Sequence, residues 1–430
     1  MVEGEYEYYY INNQDYEKMK GLTNAGTSQI NLAYGVEWDV DAYTSDMTRI
    51  GNVQLHRELP IQSRMRGCLI TDDGSKTYLP TDSWPAELTD GSAGQVMVEV
   101  PSHYRRFESA GTKRRCWLSE YPLAGYHKVP TYYIGAYEAA IDKNPDGFRM
   151  ASVANDGENY RFVHPEWDGS YRSMLGRPTS NLKMQDARMY AMKRGAGWGL
   201  ISYNAYKSVV WLILVEFATR KLQQPISYAK DDNGFTAGGL GDGATTWINY
   251  GAAYNYNYTL PLIPCGHCNS LGSRSGECVY TALDASGNVV KHLAANKYRG
   301  IENIYGHTSH FLDGAYLVNN RLMVAEDYRD FGNSELLGYT EVGEVAVGDG
   351  YVSRVIFGED GDLLPAAYGG SSSAYWSAEG KVIEQPLSAL RLWSTVYSGA
   401  SAGLAAFYCN FTDKSISEDS THRIAYYDIF

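Results

Sequence analysis

The densest group of potentially reactive side chains is Cys265-Gly266-His267-Cys268, followed by Cys278. Three thiols and an imidazole within fourteen residues are the ligand types of a zinc site. The second Cys-x-x-Cys or His-x-His pair of a usual zinc site is missing. A structural zinc, a redox pair and ordinary loop cysteines therefore stay open, with a reducing compartment favouring the last. Asp231-Asp232-Asn233-Gly234 places oxygen ligands beside a glycine, as part of a calcium loop does, but no Glu stands at the twelfth position. It reads as a turn, with a structural calcium ion as the alternative. His307, His310 and Asp313 could share a metal if a helix carried them, yet Gly306 and Gly314 flank the stretch. Gly238, Gly239, Gly241 and Gly243 precede no helical pattern and no Lys-Ser or Lys-Thr pair, so they predict a loop folded against the core rather than a phosphate cradle.

The last forty residues hold no metal-ligand cluster and no nucleophile beside a base. The most distinctive stretch is 391–430, RLWSTVYSGASAGLAAFYCNFTDKSISEDSTHRIAYYDIF, where Ser, Ala, Tyr, Asn and Thr dominate. Tyr supplies rigid amphipathic contact area, while Ser, Gly and Asn supply adaptable hydrogen bonds. Such a segment predicts a protein that touches a partner and is not an enzyme. The whole chain carries 37 Tyr against 11 Phe. A chain merely filling its core would favour Phe, because a buried Tyr hydroxyl needs a partner. The excess predicts wide contact surfaces.

The elements that would position these residues follow from periodicity. Residues 36–40 alternate apolar and acidic side chains, the mark of a half-buried strand. QVMVEV at 95–100 alternates strongly, ends at Pro101 and reads as the first strand of a second unit; 131–136 reads as the next. A helix is predicted over 182–193, capped by Thr179 or Ser180, with Leu182, Ala187, Tyr190 and Ala191 on one face. A second, over 203–222, is apolar on so much of its surface that it must be buried. Beyond it about 200 residues show Gly-rich turns and short strands, without a fixed repeat. The sum is an α+β chain with two helices and much irregular β structure.

Composition narrows the function. A hydrophobic fraction of 44% supports a sizeable core, and 430 residues predict two domains. Net charge is −13 without a basic stripe, which argues against nucleic acid as a partner. Arg105-Arg106-Phe107 and Lys113-Arg114-Arg115 read as solvated strand ends. The longest apolar run, 209–215, is far shorter than the roughly 20 residues a bilayer demands, so no membrane insertion is expected. The acidic start MVEGEYEYYYINNQ lacks the cationic and apolar regions of a secretory signal. Six cysteines are too few for a disulfide scaffold at this length.

YRGIENIYGHTSHFLDG at 298–314 resembles the GIEN-x-[YF]-G-x-x-W-x-W-x-DG segment of phage tail and fibre proteins. Those proteins carry a C-type-lectin-like domain of the formylglycine-generating-enzyme type. VMVEVPSHYRRF at 96–107, YIGAYEA at 133–139, WLILVEFAT at 211–219 with Gln223-Gln224, and Gly369-Gly370 are similar to its other segments, in order. YGVEWDV, TRIGN, LHRELPIQS and DGSAGQVMVEVP are similar to proteins of phages of gut Bacteroides and relatives. In tail proteins typified by the major tropism determinant, the fold displays a variable C-terminal surface that binds host receptors. The family's NGSNAG part matches 398–403, its F-x-x-N part Phe407 to Asn410, and His422-Arg423-Ile424 sits where FRL would. Departures are Ser309 and Phe311 in place of the two Trp, and WSTV at 393–396 in place of GGSW. Only Cys409 follows Cys278, so formylglycine-type oxidation is not implied; a metal-dependent oxidase of this fold is the least favoured reading.

The resemblance implies a virion protein, made in the host cytoplasm, with residues 1–90 as a virion-attachment region and 91–430 as the C-type-lectin-like domain. Trp393, Tyr397, Ser398, Ser401, Tyr408, Asn410 and Thr412 would form the receptor-binding face. The implied partners are a host cell-surface receptor, glycan or protein, and other virion subunits. A homotrimer is the expected assembly and no cofactor is implied. The alternative is a purely structural head-fibre, decoration or tail-adaptor component.

Overall fold

The computed structural model describes residues 29–144, 147–154, 177–246, 262–283, 288–333, 335–417 and 419–428. Helix accounts for 15% and strand for 42%, which places the chain in the mixed α+β class. The expected virion-attachment segment lies outside the described residues up to position 28.

A six-stranded sheet organises the molecule, in the order Trp198–Leu200, Ile424–Tyr426, Tyr132–Gly135, Gln95–Val100, Arg66–Ile70, Lys76–Tyr78. Gln95–Val100 forms as its alternation predicts, but it is buried on both faces. Val96, Val98 and Val100 enter the largest apolar cluster on one side. Met97 turns to the other side with Cys68, Ile70, Tyr133, Trp198 and Tyr426. The boundary expected at residue 90 falls between two antiparallel neighbours of this sheet, since Cys68 pairs with Met97 and Leu69 with Val96. Tyr34, Val36 and Trp38 likewise belong to the same buried cluster as the long helix.

Each face of the sheet is covered by one of the two expected helices. Met184–Met192 packs Ala187, Tyr190 and Ala191 into the second cluster, while Lys183 rather than Thr179 or Ser180 stands at its N-cap. Tyr203–Phe217 is capped by Ser202, whose hydroxyl accepts from the Ala205 N–H, and every residue in it except Asn204 is buried. It ends five residues before the periodicity does. Ala218 takes the left-handed conformation (φ 52°) and its N–H returns to Leu214. The Arg220 N–H then bonds the Ser45 carbonyl, drawing the chain to the N-terminal side.

A five-stranded sheet contains Ala33–Asp39, Lys113–Ser119 and His103–Ala110. Arg105, expected to be solvated, is buried and donates to Ser208 on the long helix at 3.1 Å. Trp38 stacks on Trp211 at 5.7 Å, and Phe107, Phe357 and Trp376 close around them. Gly361 is the close approach that permits this: its carbonyl accepts from the Trp211 indole at 2.7 Å, and a Cβ there would lie 2.3 Å from Phe107.

The largest sheet runs Tyr339–Glu344, Arg321–Ala325, Ser309–Val318, Ser388–Leu392, Phe407–Phe411, Glu379–Val382, Gly348–Phe357, Asp362–Tyr368. Ser309–Val318 is its spine and bridges the two cores: Phe311 and Tyr316 face one, Leu312, Ala315 and Leu317 the other. Among the described residues no helix is long and apolar enough to cross a membrane.

Candidate binding face

Strands Ser388–Leu392 and Phe407–Phe411 carry the face on which the sequence concentrates its Tyr, Ser and Asn residues. They pair antiparallel, with Arg391 opposite Tyr408 and Leu392 opposite Phe407. The register slips between Ala389 and Arg391, so Phe411 lies opposite Ala389. A bulge of this kind breaks the two-residue alternation and re-aims the side chains that follow. Tyr408 and Phe411, three apart, consequently meet the same ring. Trp393 stacks on Tyr408 at 5.0 Å and 6°, and lies parallel to Phe411 at 6.4 Å and 10°. The Trp393 N–H is tied to the Ala406 carbonyl at 2.6 Å.

Arg391 locks this ladder from beneath. Its guanidinium carbon sits 4.5 Å from the Trp393 ring centre and 4.3 Å from that of Phe411. Nε donates to Ser309 at 2.7 Å and Nη2 to Asp419 at 2.9 Å. The guanidinium is almost wholly inaccessible; burial pulls its pKa down to about 10, and Asp419 acts in the opposite direction. It stays charged at neutral pH, with both rings held against it.

Around the ladder lie charged groups and further Tyr side chains. Burial, followed by the carboxylates of Asp349 and Glu379, raises the Tyr408 hydroxyl to about 12. Lys381 stands beside Tyr408 in the neighbouring parallel strand and donates to Asp349 at 2.7 Å. Tyr351 also lies beside Glu379. Asn410, on the bulge, has a buried amide oxygen without a hydrogen-bond partner among the described residues. Thr412 is exposed, and its hydroxyl oxygen accepts from the Lys414 N–H at 3.3 Å.

Tyr397, Ser398 and Ser401 form a separate group beyond the buried stretch 394–396. Tyr397 is 46% exposed. Ser398 Oγ accepts from the Thr395 N–H at 2.9 Å, and Ser401 Oγ donates to the Ser398 carbonyl at 2.7 Å, so both hydroxyls maintain a turn. Gln223 fixes that turn from the far side by donating to the Gly399 and Ala402 carbonyls. The seven expected residues thus fall into an aromatic group and a turn group. Arg391, Phe411 and Asp419 complete the first; the bulge hid Phe411, and the Arg391–Asp419 pairing leaves no spacing signal.

The other candidates resolve into distinct arrangements. His307 Nδ1 donates to Glu138 at 2.5 Å while its Nε2 accepts from the Ile263 N–H at 3.1 Å. His310 pairs with Thr421, and Asp313 takes a two-pronged ion pair from Arg188 at 2.6 and 2.8 Å. Asp231 turns its carboxylate onto the N–H groups of Asn233 and Phe235, closing a hairpin turn. The 238–243 run packs against the core: Leu240 is fully buried and its N–H bonds the Leu222 carbonyl at 2.7 Å. Cys265 points to the Glu138 carbonyl and Cys268 to that of Ala295. Among the described residues, no three His, Cys, Asp or Glu side chains converge as metal ligands would.

No family model matches the chain, and no curated protein matches it.

Proposed function

We propose that this is a phage tail or fibre protein that binds a host-surface receptor, glycan or protein, through the face centred on Trp393, Tyr408 and Phe411. The observation that carries the reading is the ring ladder clamped by Arg391 and Asp419. Binding energy concentrates in aromatic anchors that lose little freedom on association and sit within a polar rim. Trp393 and Arg391 back the ladder, so Tyr408 offers the contact ring, with Asn410 and Thr412 as polar neighbours. Tyr397, Ser398 and Ser401 form a second contact group on a preformed turn. The C-type-lectin-like fold belongs to the same proposal. Its support is the pair of helices, and the return of Ile424–Tyr426 to pair with Tyr132–Gly135. A homotrimer on the particle would add avidity, and residues 1–90 would meet other virion subunits.

Adsorption of purified protein to host cells, or to a glycan array, tests the reading. Tyr408→Ala and Trp393→Ala should weaken binding about tenfold or more, roughly 1.4 kcal/mol. Thr412→Ala should stay within about twofold. Unchanged adsorption by a Tyr408→Ala protein with native circular dichroism would overturn the assignment. A ladder buried between neighbouring subunits of the assembled particle would move the reading to a structural component.

A further inference from the structure

We propose that Cys268 and Cys278 form a redox-active dithiol, which closes to a disulfide by exchange with a small-molecule disulfide, Cys278 attacking and Cys268 resolving. The geometry comes from the hairpin Gly276–Leu283/Val289–Tyr298, where Cys278 lies directly opposite Ala295. Cys268, at the N-cap of the short turn Asn269–Leu271, reaches the same place from outside the hairpin: its Sγ is 3.4 Å from the Ala295 carbonyl oxygen. Cys268 belongs to one apolar cluster with Leu293 and Val396, and the partly buried Cys278 packs against that cluster.

The two sulfurs are unlike in the way that exchange requires. Cys268 is fully buried, while Cys278 is partly exposed. Around Cys278 stand the Cys268 thiol, the Ser270 hydroxyl at 3.8 Å and the Lys297 ammonium, all of which favour its thiolate. The neighbouring Cys268 thiol acts most strongly, and together these groups hold Cys278 at about 6 against the opposing effect of burial. The neighbouring Cys278 sulfur, then burial, drives Cys268 well above the ordinary thiol range. Lys297 is itself fixed by donating to the Cys268 carbonyl at 3.0 Å. A partly exposed thiolate attacks, and a buried thiol beside it resolves.

The step balances. The Cys278 thiolate attacks one sulfur of the small disulfide, whose S–S bond breaks and releases a thiolate. Cys268 then loses its proton to solvent and attacks Cys278 Sγ, expelling the second small thiolate. The protein loses two electrons and the reagent gains them. The new bond would tie the Asn269–Leu271 turn to the hairpin. That turn holds Tyr137 through Asn269 at 2.6 Å and accepts the Trp84 N–H at 2.9 Å, so its surroundings would stiffen.

The test uses the full reduced chain, which carries six free thiols, incubated with oxidised glutathione. Two thiols should disappear, and trypsin, cutting after Arg274, should release two peptides joined by a Cys268–Cys278 bond. Cys268→Ser should stop at a persistent mixed disulfide on Cys278, and Cys278→Ser should lose the rapid reaction. The buried Cys68, Cys116, Cys265 and Cys409 should stay reduced. A wild-type protein that accumulates the mixed disulfide without closing, or that does not react, overturns the proposal, and so does a linkage to any other cysteine. Receptor adsorption is read separately, so failure here leaves the binding face untouched.

Discussion

At the scale of single residues, the face depends on a charge that cannot reach water. Arg391 and Asp419 are both buried and joined at 2.9 Å. Removing one partner leaves the other charge uncompensated, a change that typically costs about 3–5 kcal/mol. Asp419→Ala should therefore lower the urea-unfolding free energy by roughly that amount. The double replacement Arg391→Met with Asp419→Leu should recover much of the loss, because no charge is then stranded. Tyr408, Tyr397 and Asn410 were legible as contact candidates because composition alone marks them. Arg391 was not, since a lone Arg in a strand gives no sign of the carboxylate that folding brings from twenty-eight residues away.

At the scale of elements, periodicity identified the helices and strands but not their ends or their irregularities. Apolar spacing runs to Leu222, yet the helix stops at Phe217 because a tertiary bond to Ser45 outweighs local preference. The slip opposite Asn410 is invisible in FYCNF, which reads as simple alternation. Deleting Asn410 should restore that alternation and turn Phe411 away from Trp393. Loss of the near-ultraviolet dichroism of the stacked rings, with far-ultraviolet signal retained, would report it. The hairpin between Ser309–Val318 and Arg321–Ala325 turns on Asn319 and Asn320, both with positive φ (46° and 57°). Such two-residue turns favour Asn and Gly. Asn320→Gly should hold or raise the melting temperature, whereas Asn320→Val should cost about 1–2 kcal/mol.

At the scale of the molecule, the described chain is knit across its expected boundary, which composition could not reveal because strand partners are chosen by the fold. Histidine burial is distributed in the same way. Burial holds His56, His103 and His422 near 4, although each makes a hydrogen bond that acts in the opposite direction. An unfolded His titrates near 6.5. Between these values the unfolded chain binds protons that the folded chain refuses, so stability is full above about pH 6.5 and falls as pH drops toward 4. Urea midpoints measured across that range should decline with acidification, and His422→Gln should flatten the slope by up to about 1.4 kcal/mol per pH unit.

The sheet order has one more consequence, which concerns time. Ile424–Tyr426 sits between Trp198–Leu200 and Tyr132–Gly135, inside the six-stranded sheet rather than at its edge. While the protein is being synthesised, the strands on either side emerge hundreds of residues before the one that must join them. Until residue 426 has cleared the ribosome, the nascent chain exposes unpaired strand edges and the apolar residues of both cores, the form most prone to misassociation. Ribosome-stalled chains ending before residue 424 should remain protease-sensitive throughout, and resistance should appear abruptly once that strand is free to insert.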